Sequence, residues 1–88
     1  MKIADGFILR NIGGEYIVVG VGETAVSFNG IISLNASSKM VFEGIQKGLS
    51  VEQITDEFLK VYNVDRARAK ADVEKTIESF KKVNIIDD

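Results

Sequence analysis

The fold turns on the stretch VSFNGIISLNASSK, Val26 to Lys39. Its first part is apolar and β-branched like a strand, while Asn35 to Lys39 opens like a helix, with Asn and Ser at capping positions. The sequence period therefore changes here, from two residues to about 3.6. Between Thr24 and Ser38 there is no charged side chain, although 27% of the chain is charged. Strands at the rim of a sheet are normally blunted by charge, proline or a bulge, because an open ladder recruits other chains. This strand has no such guard, so it is either covered or kept open for a partner.

Working outward from it, GFILRNI, the pair Gly13-Gly14 and EYIVVGV read as a β-hairpin. Gly22 to Thr24 supplies a second turn, and a third strand follows from Ala25 to Leu34, with Asn29-Gly30 marking a bulge or kink. The strands are expected at about 6–12, 15–21 and 25–34. After them come three amphipathic helices, at about 36–47, 50–62 and 65–83. Asn35 or Ser37 caps the first, Met40, Val41, Phe42 and Ile45 form its apolar side, and Gly48 ends it. SVEQ, Ser50 to Gln53, is a capping box for the second, in which Val51, Ile54, Phe58, Leu59 and Tyr62 recur at helical spacing. Asp65 caps the third, whose Ala69, Val73, Thr76, Ile77 and Phe80 fall within one narrow arc. The expected class is α+β, one domain over 1–88: a three-stranded antiparallel sheet followed by three helices, the last two arranged as in a winged helix-turn-helix.

Composition removes most chemistry. There is no cysteine and no histidine, so a disulfide framework, a thiolate site and the commonest general base are all missing. The thirteen carboxylates fall mostly on faces expected to meet water, where nothing shifts their pKa. GVGETA, Gly20 to Ala25, spells the dinucleotide fingerprint, but a strand pattern follows it where the pyrophosphate needs a helix start, so it reads as a turn. No catalytic residue, metal or cofactor is expected. Eleven basic against thirteen acidic side chains give a net charge of −2, the wrong sign for a module held on phosphates. The start, MKIADGFILR, has neither a signal-peptide core nor a run able to span a bilayer, and the expected location is the cytoplasm, away from membranes.

In the third helix, Arg66, Lys70 and Lys81 lie on one flank of the apolar stripe, and Arg68, Asp72 and Lys75 on the other. The first flank is the more uniformly positive. It reads either as solvated lysine and arginine stems lying on apolar neighbours or as a rim that receives an acidic partner. The uncharged third strand reads either as an edge covered by the chain itself or a dimer partner, or as an edge that accepts a peptide as an added strand.

Nearly the whole chain, Gly6 to Ile86, resembles the PqqD family, small domains also called RiPP recognition elements. The resemblance lies in VGVGETAVSFNGIISLN, with FNG at Phe28 to Gly30 a close match, in KGLSVEQITDEFLKVYNVD, and in ADVEKTIESFKKVNII with Asp72 at the family's acidic position. The chain departs from the family after Asn35, where Glu-Thr-Gly and an Ile-Trp pair are common: here stand Ala36, Ser37 and Ser38, then Val41 and Phe42. Gly44 also replaces the usual leucine. The resemblance implies a winged helix-turn-helix scaffold that binds a peptide rather than DNA. The leader segment of a precursor peptide would pair antiparallel with the third strand, beside the third helix. Carried onto this chain, Phe28, Asn29, Gly30, Ile31, Ile32, Ser33 and Leu34 supply the ladder, and Val73, Ile77, Arg66 and Lys70 the opposite wall. The expected partners are a leader peptide and a maturation enzyme such as a radical SAM protein. A winged-helix DNA-binding regulator is the alternative, with the six bases and four acids between Asp65 and Lys82 against it. A module that dimerises through the free edge is a third.

Overall fold

The computed structural model describes residues 1–27 and 30–87. In chain order the elements are β1 (Lys2–Ile3), β2 (Phe7–Ile12), β3 (Glu15–Gly20), α1 (Glu23–Ser27), β4 (Ile31–Leu34), α2 (Ala36–Gln46), α3 (Val51–Val61), α4 (Arg66–Lys82) and β5 (Ile86–Asp87). The expected α+β class holds: β2, β3 and β4 form an antiparallel sheet in that order, followed by three long helices. The hairpin turns on Gly13 and Gly14, at φ +60° and +84°. Two successive positive φ values match the right-handed twist of the flanking strands, and glycine reaches them without strain.

The third strand is shorter than its composition suggests. It begins at Ile31, and residues 23–27 form the short helix α1 instead of continuing it. The sheet register gives the reason. Val19 lies opposite Ile31 and Tyr16 opposite Leu34, so partners for residues 25–29 would have to come from residues 21–25, which are the connection itself. A strand cannot pair with its own turn. The chain therefore coils, with the Ala25 amide donating to the Gly22 carbonyl and the Thr24 hydroxyl to the Asp5 carbonyl. The two ends of the chain also clasp, a contact that no local pattern marks: β1 pairs antiparallel with β5, Ile3 opposite Ile86.

Each of α2, α3 and α4 starts where its cap is written. The Asn35 carboxamide accepts from the Ser38 amide at 2.8 Å, and the Asp65 carboxylate from the Arg68 amide at 2.8 Å. The Ser50–Gln53 box closes in both directions, at 2.9 and 3.2 Å. Together these satisfy N-terminal amides that have no partner inside a helix.

The sheet turns Leu9, Val18, Ile32 and Leu34 toward the helices and Ile8, Val19 and Ile31 away, as the two-residue period requires. Val18 and Leu34 join Val41, Phe42, Ile45, Ile54, Phe58, Val73, Ile77, Phe80 and Ile85 in one buried core. Fully burying each large aliphatic or aromatic side chain contributes about 1.5–3 kcal/mol. Phe42 stands edge-on to Phe80, ring centroids 6.0 Å apart at 88°, a favoured quadrupole arrangement. The smaller ring at position 42 thus fills the centre of the core.

Candidate functional site

In the order β2-β3-β4, the strand β4 is an edge, and among the described residues no strand lies beyond it. Alternate N–H and C=O groups of an edge strand point outward and are open to a further strand. Along β4 burial alternates: Ile31 is 66% exposed, Ile32 is half-buried, Ser33 is exposed and Leu34 is buried. None of the four carries charge. Asn35 then locks the end of the strand into α2, its carboxamide also accepting from the Ser37 hydroxyl at 2.9 Å. The edge is held at a fixed place relative to the helices.

Beside the edge runs a groove of about 280 Å³, between β4 and the C-terminal half of α4. Ile32, Ser33 and Leu34 form one wall, Thr76, Ser79, Phe80 and Val83 the other, and Ser38 closes an end. Every lining residue is uncharged. The Thr76 hydroxyl donates to the Asp72 carbonyl at 3.0 Å and that of Ser79 to the Lys75 carbonyl at 3.2 Å, so both are already engaged by their own helix. The groove offers an apolar floor and, on the β4 side, open main chain. Past Phe80 the wall is pinned: Asn84 takes φ +61°, the Ile85 amide donates to the Phe80 carbonyl, and Ile85 is fully buried.

Of the residues expected from the sequence to form the site, Gly30 to Leu34 lie along this edge, while Phe28 and Asn29 fall outside the described residues. The expected opposite wall is placed differently. Val73 and Ile77 point into the core, beneath the groove, with exposures of 0% and 5%. Arg66 and Lys70 sit on the flank of α4 that faces α3. Arg66 donates to Asp56 at 2.6 Å and to Glu52 at 2.7 Å, and Lys70 reaches Glu52 at 2.8 Å. Hydrogen bonds from Arg66 and then Lys70 hold the Glu52 carboxyl down to about 2, against an ordinary 4.5. The same carboxylate raises Arg66 and Lys70 above their usual values. An apolar stripe has two flanks, and helical periodicity treats them alike. The groove is lined from the other flank, by Thr76, Ser79 and Val83, opposite Arg66 and Lys70 at 100° per residue.

Residues 9–86 match the family described as coenzyme PQQ synthesis protein D (PqqD). The chain belongs to the PqqD family. Two solved structures share the fold of this PqqD-family chain. One, of TbiB1 in complex with the TbiA(beta) leader peptide, has 20% sequence identity and a TM-score of 0.79, covering 97% of this chain and 93% of that one. The other, of lasso peptide synthetase B1 complexed with the leader peptide, has 13% identity and a TM-score of 0.78, covering 96% and 93%. No curated protein matches the chain.

Proposed function

We propose that the protein is a non-catalytic receptor for the leader segment of a ribosomally synthesised precursor peptide. The leader adds to β4 as an antiparallel strand, lies in the groove against α4, and is presented to a modifying enzyme of the radical SAM class. The observation that carries this is an uncharged, unguarded strand edge that borders an apolar groove. Main-chain hydrogen bonds to Gly30–Leu34 supply affinity without regard to sequence, and alternate leader side chains enter the groove and supply selectivity. Val73 and Ile77 act from below, by holding Phe80 and Thr76 in place. Arg66 and Lys70 act from further off, by fixing α4 against α3.

Both solved relatives in the comparison hold leader peptides, which favours this reading over a DNA-binding winged helix. So does the charge: two of the six cations of α4, Arg66 and Lys70, are taken up by Glu52 and Asp56. The chemistry required of the domain is binding alone, and it needs neither cofactor nor metal. Among the described residues no helix is long and apolar enough to cross a membrane.

A labelled synthetic leader, taken from the short open reading frame nearest the gene, should bind saturably with a micromolar or tighter constant, equivalent to about 8 kcal/mol or more. Transferred cross-peaks should place it against β4. A folded protein that binds none of the leaders encoded beside it would refute the proposal.

A further inference from the structure

Helix α4 carries six cations between Arg66 and Lys82, and four of them are matched by carboxylates. Arg66 and Lys70 meet Glu52 and Asp56, Arg68 stands 4.0 Å from Asp72, and Lys81 stands 3.9 Å from Glu78. Lys75 and Lys82 have no ion-pair partner among the described residues, and both are exposed. The carboxylates three or four residues from them on the helix surface, where side chains meet, are Asp72 and Glu78, and each is directed to another cation. The helix dipole favours a cation in the last turn, which suits Lys82. Lys75, in the middle of the helix, has no such support.

The two lysines stand at the rim of the β4–α4 groove. Stepped at 100° per residue, Thr76, Val83 and Ser79 follow one another around α4 away from the buried arc of Val73, Ile77 and Phe80. Lys75 and Lys82 come next, about 40° and 60° beyond Ser79. Along the axis they bracket Ser79, four residues before it and three after. The opposite wall, Ile32 to Leu34, is uncharged, and beside Ser38 the Lys39 ammonium is already paired with Glu43 at 3.2 Å. The groove therefore joins an apolar floor to a positive rim that nothing matches. A strand laid along β4 turns alternate side chains to the helix side. Short aliphatic ones fill the floor, and a longer one that crosses Ser79 brings its head to Lys75 or Lys82.

We propose that Lys75 and Lys82 are specificity-determining residues, selecting leaders that carry carboxylates, on the strand face turned to α4, beside the aliphatic residues that fill the groove. Glutamate suits this position better than aspartate, because the lysines lie past Ser79 and the stem has to cover it. The inference rests on the leader-receptor reading and adds to it the class of leader. Two unmatched cations on a chain of net charge −2 are too few to hold a phosphate backbone, so the acidic partner is a peptide.

The test uses the synthetic leader encoded nearest the gene and a second version in which every Asp and Glu is replaced by Asn and Gln. Each is titrated into the wild type, Lys75→Glu, Lys82→Glu, Lys75→Arg and Lys47→Glu, with circular dichroism to verify folding. Lys47 does not line the groove, so its reversal makes the same change of net charge elsewhere. Lys75→Glu should weaken the acidic leader about fivefold or more, chiefly through the association rate, and Lys82→Glu by a similar or smaller factor. Lys75→Arg and Lys47→Glu should stay within about twofold of the wild type. The amide version should bind the wild type about fivefold more weakly and be indifferent to both reversals. These differences should shrink between about 0.1 M and about 1 M salt, as the Debye length falls from about 10 Å to about 3 Å. A leader that binds without any carboxylate, or reversals that leave its affinity unchanged, overturns the proposal while the leader reading stands. An equal loss in Lys47→Glu overturns it as an effect of net charge alone. Binding to a duplex oligonucleotide that Lys75→Glu abolishes, with the leader indifferent, overturns it in favour of phosphate. A wild type that binds neither version of the leader removes the leader reading and this inference with it.

Discussion

Along α4, the flank that meets α3 is closed by charge, while the stretch that faces β4 lines its groove with uncharged side chains only. On the first, Arg66 bridges Glu52 and Asp56 while Lys70 reaches Glu52. On the second, Thr76, Ser79, Phe80 and Val83 look across a groove at a strand edge. The charged flank fixes where the helix lies. The uncharged groove lies beside a strand edge that has no further strand among the described residues. Charge on a helix surface can thus mark a packing flank, where an acidic neighbouring helix absorbs it.

The contrast can be broken most severely through the core the two flanks share. Phe42→Ala removes the ring behind Phe80 and should cost about 3–5 kcal/mol by loss of burial plus a cavity. Urea unfolding should show it, and the groove floor should be lost with it. The next effect separates the flanks directly. Ser79→Trp fills the groove from an exposed position, so leader affinity should drop at least about tenfold, or about 1.4 kcal/mol, while the unfolding midpoint barely moves. An unchanged leader constant would mean that the peptide lies elsewhere.

On α2, Gly44→Ala gains helix propensity but drives a methyl group into the fully buried Ile54. The overpacking should win, destabilising by about 1–3 kcal/mol in urea titrations. Arg66→Ala, on the charged flank, should leave leader affinity unchanged and lower stability only slightly, by an amount that shrinks with added salt because the pair is exposed. A large loss of leader binding in that variant would reassign the charged flank to the site.

The smallest effect is a pH dependence. The folded protein lowers the Glu52 carboxyl from 4.5 to about 2. A lowered folded pKa means that the stabilisation is fully present above the ordinary value and is lost as pH falls through the folded one. The contribution should therefore fade between pH 4.5 and 2, and Glu52→Gln should flatten the wild-type slope of unfolding midpoint against pH in that window. Leader binding at neutral pH should be indifferent to it.

Much of this fold was legible before any coordinates. The glycine pair at 13–14, the Ser50–Gln53 box, Asn35 and Asp65 each act through neighbours within a few residues, and each sits where it was expected. The bare strand edge was legible too, from the absence of charge between Thr24 and Ser38. What misled was local propensity at Ala25 to Phe28: β-branched and aromatic residues favour a strand, yet α1 forms at 23–27 because the hairpin register leaves that segment no partner. Val73 and Ile77 enter the wall only through the family resemblance, and the fold buries both, because an apolar stripe does not say which of its members lie at the rim.

The sequence by itself determined the order of strands and helices, the caps that start each helix, the apolar stripes and the uncharged edge, because periodicity, capping and turn chemistry operate over a few residues. Only the tertiary structure decided which flank of α4 faces β4, which cations are consumed by α3, and how closely α2 and α3 approach at Gly44. Those depend on how separate elements pack, and a helix of period 3.6 carries no mark that tells one of its flanks from the other until a neighbour is laid against it.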